Sequence, residues 1–171
     1  MFSKNYKQFS VIYNENKYLY QDVLDITDQI KDIFNGRHLI ILTAENDLVS
    51  LSVYLRSIQS RTPIMLLSND IDSSELEVIV GKFRPSYLIS WKNSIFTFED
   101  RHITGVLENY YLYEFKQFDP VKVFDKLALL LPTSGSTGAA KFVRISYQNI
   151  FNNTQSIIKF IKINCEDISI T

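Results

Sequence analysis

Three short, almost continuous apolar runs alternate with segments of helical periodicity in the first half of this sequence. The runs are Leu39–Leu42 (LIIL), Ile64–Leu67 (IMLL) and Tyr87–Ser90 (YLIS). A strand that is apolar along its whole length is typical of a parallel sheet covered by helices on both faces. Strands that are joined through helices by short connections favour the same arrangement. The alternation therefore predicts an α/β fold with a doubly wound, mostly parallel sheet and flanking helices.

Three segments place apolar residues at helical spacing and are predicted to be helices. They are Gln21 to Phe34, Leu48 to Ile58 and Leu76 to Phe83. Asn35-Gly36 is expected to end the first helix, because both residues accept left-handed backbone. Ser74 with Glu77 resembles a capping box at the start of the third helix. Arg84-Pro85 is expected to end that helix, because proline disfavours a helical residue before it.

Two further parts of the chain have the composition of strands. Gln8–Tyr13 and Lys17–Tyr20 flank turn-forming residues, which predicts an N-terminal β-hairpin. The stretch from Trp91 to Asp119 is predicted to form irregular strands, with β-prone runs at Phe96–Phe98 and Tyr110–Phe115. Gly105, between these runs, is expected to lie in a turn.

The last third of the chain is predicted to contain two strands and a helix around a glycine-rich loop. Leu127–Leu131 (LALLL) is an apolar run that leads directly into the glycine-rich segment. Phe142–Ile145 is predicted to be the strand that follows it. Ser146 is expected to cap a last helix that ends near Ile161.

Composition excludes several classes of protein. The chain has 171 residues and a formal net charge of −1, which gives no electrostatic basis for binding nucleic acid or an anionic membrane. Its single cysteine, Cys165, rules out an internal disulfide framework and a cysteine-built metal cluster. His38 and His102 have no partner at metal-ligand or triad spacing. Without a long apolar run or a signal-like N-terminus, we expect a cytoplasmic protein with no membrane span and no metal site of its own.

The segment that carries chemistry is Pro132–Lys141, PTSGSTGAAK. It holds two of the five glycines of the chain among hydroxyl residues and a lysine. Glycine allows the backbone to approach an anion and to direct successive N–H groups at it. Hydroxyl groups add donors, and lysine adds a mobile positive charge. These residues, directly after a predicted strand, indicate a polyphosphate-binding loop.

Two familiar phosphate-binding patterns do not fit this segment. A P-loop requires G-x-x-x-x-G-K-[ST], and a dinucleotide-binding turn requires G-x-G-x-x-G. Here Gly135 and Gly138 are separated by two residues, and Phe142 follows the lysine. The same turn-forming residues also occur in solvated hairpin loops without a ligand. The residue types alone leave both a phosphate cradle and a plain hairpin loop open.

The order of residues from Leu131 to Ser146, L-P-T-S-G-S-T-G-x-x-K-x-V-x-x-S, closely resembles the phosphate-binding signature of the adenylate-forming superfamily. This family includes acyl-CoA synthetases, AMP-acid ligases and the adenylation domains of peptide synthetases. The resemblance covers nearly the whole chain. Further segments similar to the family pattern are Tyr18–Leu24, Leu39–Leu67, Ala44-Glu45-Asn46, Asn149 and Asp167.

The resemblance implies a reaction in which a carboxylate attacks the α-phosphate of Mg-ATP, giving an acyl-adenylate and pyrophosphate. Most members of the family then transfer the acyl group to a thiol. The implied cofactors are ATP and Mg²⁺, and the implied partners are a carboxylic acid and CoA or a carrier thiol. No catalytic residue is assigned within these 171 residues. The residues assigned to binding the β- and γ-phosphates, or to giving their loop its mobility, are Thr133, Ser134, Gly135, Ser136, Thr137, Gly138 and Lys141.

Three residues depart from the family pattern. Ala140 stands where proline usually precedes the lysine, and Phe142 stands where glycine usually follows it. Tyr147 stands in place of the usual histidine, and tyrosine cannot change its charge near neutral pH as histidine can. None of these departures removes a direct phosphate donor.

The largest departure from the family is length. Family members run to several hundred residues, so we interpret residues 1–171 as the N-terminal portion of an adenylation domain, truncated after the phosphate-loop motif. Such a portion is expected to be inactive alone. Two alternatives stay open: a noncatalytic short homologue that acts as a binding or assembly module, and an unrelated α/β phosphate binder. A sheet that is cut short exposes an edge and apolar faces, so we expect association, including homo-oligomers.

Overall fold

The computed structural model describes residues 10–92, 101–116, 121–133, 141–164 and 167. The strands in these ranges are β1 (Ser10–Tyr13), β2 (Asn16–Leu19), β3 (Ile40–Ala44), β4 (Ile64–Ser68), β5 (Tyr87–Trp91), β6 (Arg101–Leu107), β7 (Tyr110–Phe115), β8 (Leu127–Pro132) and β9 (Phe142–Ser146). The α-helices are α1 (Tyr20–Asp25), α2 (Leu48–Ser60), α3 (Ser73–Phe83) and α4 (Tyr147–Ile161). A 3₁₀ helix spans Asp28–Phe34.

Seven of the described strands form one sheet, in the order β6-β7-β5-β3-β4-β8-β9. Its four central strands, β5, β3, β4 and β8, run parallel, and the strands at both ends are antiparallel additions. β1 and β2 form a separate hairpin, whose turn residues Asn14 and Glu15 have φ of 47° and 65°. This pair of positive φ values gives a turn twist that suits a two-residue hairpin. Both the predicted mostly parallel sheet and the predicted hairpin are confirmed.

Helices cover the sheet on both faces. Ile40 and Leu42 of β3 belong to the same apolar cluster as α2, whereas Ile41 belongs to the cluster that contains α3. Successive side chains of a strand point to opposite faces of the sheet. All three residues are fully buried, which explains why the run is apolar without interruption.

The prediction of one helix from Gln21 to Phe34 is wrong. α1 ends at Asp25, and the following 3₁₀ helix is irregular at Ile30, where φ is −119° and ψ is 17°. The buried Thr27 lies between the two helices, and its hydroxyl donates to the carbonyl of Leu24 at 2.7 Å. A threonine hydroxyl that binds nearby backbone in this way competes with regular helix.

The start of α3 also differs from the prediction. Asp72 is the N-cap, and its carboxylate accepts the backbone N–H of Ser74 at 2.8 Å. The Ser74 hydroxyl also donates to this carboxylate, and this bond, together with those from the backbone N–H groups of Ser74 and Glu75, holds the pKa of Asp72 below its ordinary value. Ser74 therefore lies inside the helix, and the prediction that it begins a capping box is wrong. The predicted end is confirmed, because Arg84 has left-handed backbone with φ of 45° directly before Pro85.

The described part of the aromatic stretch after β5, residues 101–116, forms a hairpin whose register shifts between Ile103 and Gly105, in agreement with the predicted irregular strands. β6 and β7 are antiparallel, and β7 pairs with β5 of the main sheet. Gly105 lies inside β6 at a shift in register, and the turn is at Glu108, where φ is 49°. The prediction that Gly105 lies in a turn is therefore wrong. A Cβ added there would lie 3.3 Å from Leu112 Cδ2, so close packing accounts for this glycine. Phe96–Phe98 lies outside the described residues.

The C-terminal strand and helix are confirmed. β9 is one of the two edge strands of the sheet, and Ser146 caps α4 through a reciprocal pair of hydrogen bonds with Asn149. All of α4 lies within the described residues, and none of its residues is buried. Its exposed apolar side chains include Phe151, Ile157, Ile158, Phe160 and Ile161. Among the described helices, none is both long and apolar enough to cross a membrane.

Candidate functional site

The glycine-rich segment leaves the sheet at the edge where the parallel strands end. β8 enters the segment at Pro132, and β9 returns from it at Phe142, directly opposite in the antiparallel register. Ligands of open α/β sheets bind at the carboxyl ends of the parallel strands. The segment is therefore placed where such a fold binds its ligand. It also connects two neighbouring strands, as the alternative of a plain hairpin loop requires.

Thr133 and Lys141 close the base of this loop. The backbone N–H of Thr133 donates to the carbonyl oxygen of Lys141 at 2.8 Å, and the Thr133 hydroxyl lies 3.2 Å from the same oxygen. We call this hydrogen-bonded pair the loop neck. Both residues are exposed, and the Thr133 hydroxyl donates to the Lys141 carbonyl at the base of the loop. The other five residues predicted to bind phosphate, Ser134, Gly135, Ser136, Thr137 and Gly138, lie outside the described residues.

Polar side chains follow β4, the strand that pairs with β8. β4 pairs in parallel with β8, with Ile64 opposite Leu129 and Met65 opposite Leu130, and β4 ends at Ser68. The next residue, Asn69, donates from Nδ2 to Glu45 Oε1 at 2.9 Å. Asn69 follows β4, which neighbours β8, whereas Glu45 follows β3, which is one strand further from the loop. The described residues contain no group of three or more histidine, cysteine or acidic side chains placed to hold a metal ion.

Tyr147, which stands where the resemblance places a histidine, lies at the opposite end of β9 from Lys141. Its backbone N–H donates to Lys126, and the Arg61 guanidinium lies 6.0 Å from its ring centroid. Burial raises the pKa of the Tyr147 phenol, against the opposing effect of the positive charge of Arg37. Tyr147 and Lys141 are therefore separated by the length of a strand. The structure does not bring Tyr147 to the loop neck.

A hydrogen-bonded cluster that the sequence did not indicate lies at the start of α2. The Tyr110 hydroxyl donates to Asp47 Oδ2 at 2.9 Å and lies 3.0 Å from Ser50 Oγ. The other Asp47 oxygen accepts the Ser50 backbone N–H at 2.7 Å. Burial is the main cause that raises the pKa of Tyr110, and the carboxylate of Asp47 adds to it. Asp47 has the pattern of a helix cap, but Tyr110 is 63 residues away and carries no local sign of this contact.

Comparison with known proteins gives structural matches only. No protein-family model matches the sequence, and no curated protein matches it. One similar structure is o-succinylbenzoate CoA synthetase (MenE) from Bacillus subtilis in complex with the acyl-adenylate intermediate OSB-AMP. It matches with a TM-score of 0.64 and 13% identity, over 90% of this chain and 42% of that one.

Two other ligases match in the same way. ATP-bound MatB from Rhodopseudomonas palustris has a TM-score of 0.57 and 13% identity, over 84% of this chain and 32% of that one. Fatty acyl-adenylate ligase from L. pneumophila, in complex with acyl adenylate and pyrophosphate, has a TM-score of 0.62 and 16% identity. The match covers 95% of this chain and 31% of that one.

These matches concern the fold. The chain has the fold of adenylate-forming acyl-CoA and acyl-AMP ligases over the part that it shares with them. It spans between 31% and 42% of the length of the three structures. The predicted likeness to adenylate-forming ligases is confirmed at this level.

Proposed function

We propose that this chain supplies the triphosphate-binding loop of an enzyme that activates a carboxylic acid with ATP. The observation that carries the proposal is the loop neck, which places Thr133 and Lys141 at the carboxyl edge of a sheet with the ligase fold. The segment between them has the residue order of the family's phosphate-binding signature. A plain hairpin loop explains the strand connection but not this order.

The residues of the loop suit a polyphosphate. Thr133 offers a hydroxyl donor and Lys141 a positive charge, and both are exposed at the loop neck. In the proposed role, Thr133, Ser134, Ser136, Thr137 and Lys141 hold the β- and γ-phosphates, and Gly135 and Gly138 allow the backbone to follow them. Such groups stabilise the negative charge that accumulates on departing pyrophosphate. Bound MgATP supplies the phosphorus atom that the carboxylate attacks.

The similar structures support acyl-adenylate formation as the reaction class. One of them holds ATP, another holds the intermediate OSB-AMP, and a third holds acyl adenylate with pyrophosphate. We propose the same class for the enzyme to which these 171 residues belong, with Mg²⁺ as the metal and CoA or a carrier thiol as the acceptor. We further propose that residues 1–171 form the N-terminal portion of its adenylation domain and are inactive alone. A cytoplasmic location suits such an enzyme.

The alternative function, a noncatalytic binding or assembly module, rests on a different observation. α4 has an apolar face without buried residues, and it follows β9, an edge strand whose outer side pairs with no other described strand. An uncovered apolar face and an open sheet edge favour association with other polypeptide. Under this alternative the chain would associate without binding nucleotide, so the two functions differ in their response to MgATP.

Calorimetric titration with MgATP tests the proposed function. Parent protein, Lys141→Ala and Ser136→Ala are compared with Arg144→Ala, which removes the same charge as Lys141→Ala from an exposed position of β9. Hydrogen bonds to charged groups contribute about 1.5–3 kcal/mol, so each loop variant should bind roughly tenfold or more weakly. Arg144→Ala should bind like the parent. Equal losses of MgATP affinity in Lys141→Ala and Arg144→Ala would indicate nonspecific attraction by positive charge. A parent protein that does not bind MgATP would favour the assembly module.

A further inference from the structure

A cavity separate from the loop neck lies between the N-terminal hairpin and the start of α2. Its volume is about 420 Å³, and it extends to the end of β5 and the β6–β7 turn. Small-molecule sites commonly measure about 300–1,000 Å³. The cavity is on the β5 side of β3, whereas the loop neck is on the β4 and β8 side. The two regions therefore offer separate binding surfaces.

Aromatic rings form much of the cavity wall. Tyr13 and Tyr18 come from the hairpin, Trp91 from the end of β5 and Tyr110 from the start of β7. Trp91 meets Tyr110 edge to face, with ring centroids 5.3 Å apart and an angle of 85°. Tyr13, Tyr18 and Trp91 are partly exposed, so they retain surface for a ligand. The negative face of an aromatic ring attracts a cation within about 6 Å of its centroid.

All charged residues among the described lining of the cavity are acidic. Asp22, Asp47 and Glu108 carry carboxylates, and no lysine or arginine lines the cavity with them. Asp22 accepts the backbone N–H of Leu19 at 2.7 Å, and Asp47 accepts the Tyr110 hydroxyl. These bonds hold two of the carboxylates in place. A carboxylate has about four lone-pair sites, so each keeps capacity for another donor.

We propose that this cavity binds an organic cation with primary ammonium groups. Aromatic walls and fixed carboxylates together provide what such a ligand needs: ring faces for the cation and its alkyl chain, and acceptors for its N–H donors. Three asparagines on the rim, Asn14, Asn16 and Asn109, add further acceptors. An anion would meet three carboxylates without a compensating cation in the described lining. This site is independent of the proposed binding of ATP.

The test uses Trp91, the only tryptophan in the chain, as a fluorescent probe inside the cavity. The full 171-residue chain is titrated with 1,5-diaminopentane and with 1,5-pentanediol, which has the same chain without charges. We expect the diamine to change Trp91 fluorescence in a saturable way and the diol to leave it unchanged. A titration with NaCl at matched ionic strength identifies any effect of salt alone.

Three variants locate the binding. Glu108→Gln removes a carboxylate charge and Tyr18→Leu removes an aromatic ring from the cavity wall. Each variant should bind the diamine about threefold or more weakly. Glu15→Gln is the matched control, because Glu15 is also an exposed hairpin-turn residue with positive φ but does not line the cavity. It should bind like the parent. A response shared by the diamine, the diol and NaCl, or equal losses in Glu108→Gln and Glu15→Gln, would overturn the proposal.

Discussion

Thr133 and Lys141 are hydrogen-bonded across the base of the glycine-rich loop, with 2.8 Å between the Thr133 nitrogen and the Lys141 oxygen. The bond joins two backbones and leaves both side chains exposed. A ligand can therefore bind the ammonium group, and the Thr133 hydroxyl once it leaves the Lys141 carbonyl, without breaking the backbone bond. The pairing of β8 with β9 thus sets where the loop begins and ends.

Thr133 closes the loop neck through its backbone N–H and is proposed to bind phosphate through its hydroxyl, and Thr133→Val separates these two roles. The variant loses the hydroxyl but keeps the backbone N–H bond to Lys141. Since the hydroxyl contact is exposed and measures 3.2 Å, the free energy of unfolding should change by less than about 1 kcal/mol. Affinity for MgATP should fall about tenfold, because a phosphate donor is lost. Urea denaturation and calorimetry measure the two effects, and Thr133→Ser should restore binding. Unchanged affinity in Thr133→Val would remove this residue from the site.

Ser146→Ala should destabilise α4 by about 1 kcal/mol, because it removes the side-chain acceptor of the Asn149 backbone N–H. α4 has no buried residue, so its stability depends strongly on this cap. Hydrogen exchange should therefore accelerate in α4 and stay unchanged in α2. Ser156→Ala is the control, because its hydroxyl only donates to Asn152 within the helix. Equal acceleration in both variants would show that the cap has no special role.

Tyr110→Phe should lower the free energy of unfolding by about 1–2 kcal/mol. The buried hydroxyl joins Asp47 to Ser50, and its loss leaves the Asp47 Oδ2 atom without this donor. Chemical denaturation measures the change. Tyr54→Phe removes a hydroxyl that makes no hydrogen bond within the described part of the chain, and it should cost less. A smaller loss in Tyr110→Phe than in Tyr54→Phe would contradict this account.

His38 should make stability depend on pH in the weakly acidic range. Burial lowers the pKa of His38 below its ordinary value of 6.5, against the opposing hydrogen bond to the Ile33 carbonyl. Between the two pKa values the unfolded chain binds more protons, so stability rises with pH in that window. The contribution of His38 is complete above pH 6.5 and declines as pH falls towards the folded-state pKa. The pH dependence of urea denaturation should flatten in His38→Gln, and identical profiles would refute the prediction.

The exposed face of α4 should cause the isolated chain to associate. Ile157 and Ile161 are 45% and 58% exposed, which is unfavourable for neighbouring apolar side chains in water. Sedimentation velocity should show a mass that increases with concentration, and Ile157→Glu should shift it towards the monomer. Asn152→Glu introduces the same charge at an exposed position of α4 that does not adjoin these apolar side chains, and it should not shift the mass. A monomeric parent at high concentration would contradict the prediction.

Local patterns predicted most elements of the fold, because they report which faces of a segment are buried. The runs at β3, β4 and β5 and the periodicity of α2 and α3 required no knowledge of the neighbours. Ser146 likewise indicated its helix through a cap that acts over three residues. The sequence predicted seven residues of a phosphate-binding loop. The described structure includes two of them, Thr133 and Lys141, and joins them by a hydrogen bond.

The sequence by itself determined the alternation of strand and helix, the residue order of the loop and the cap of α4, because each depends on residues close together in the chain. Tertiary structure decided the rest. The helix break at Thr27 is supported by Arg56, whose Nε donates to the Thr27 hydroxyl from 29 residues away. A Cβ at Gly105 would crowd the side chains of Leu112 and Ile30, and Tyr110 meets Asp47 only because β7 joins the sheet beside β5. Contacts between distant residues exist only in the packed chain, so periodicity and local spacing did not predict them.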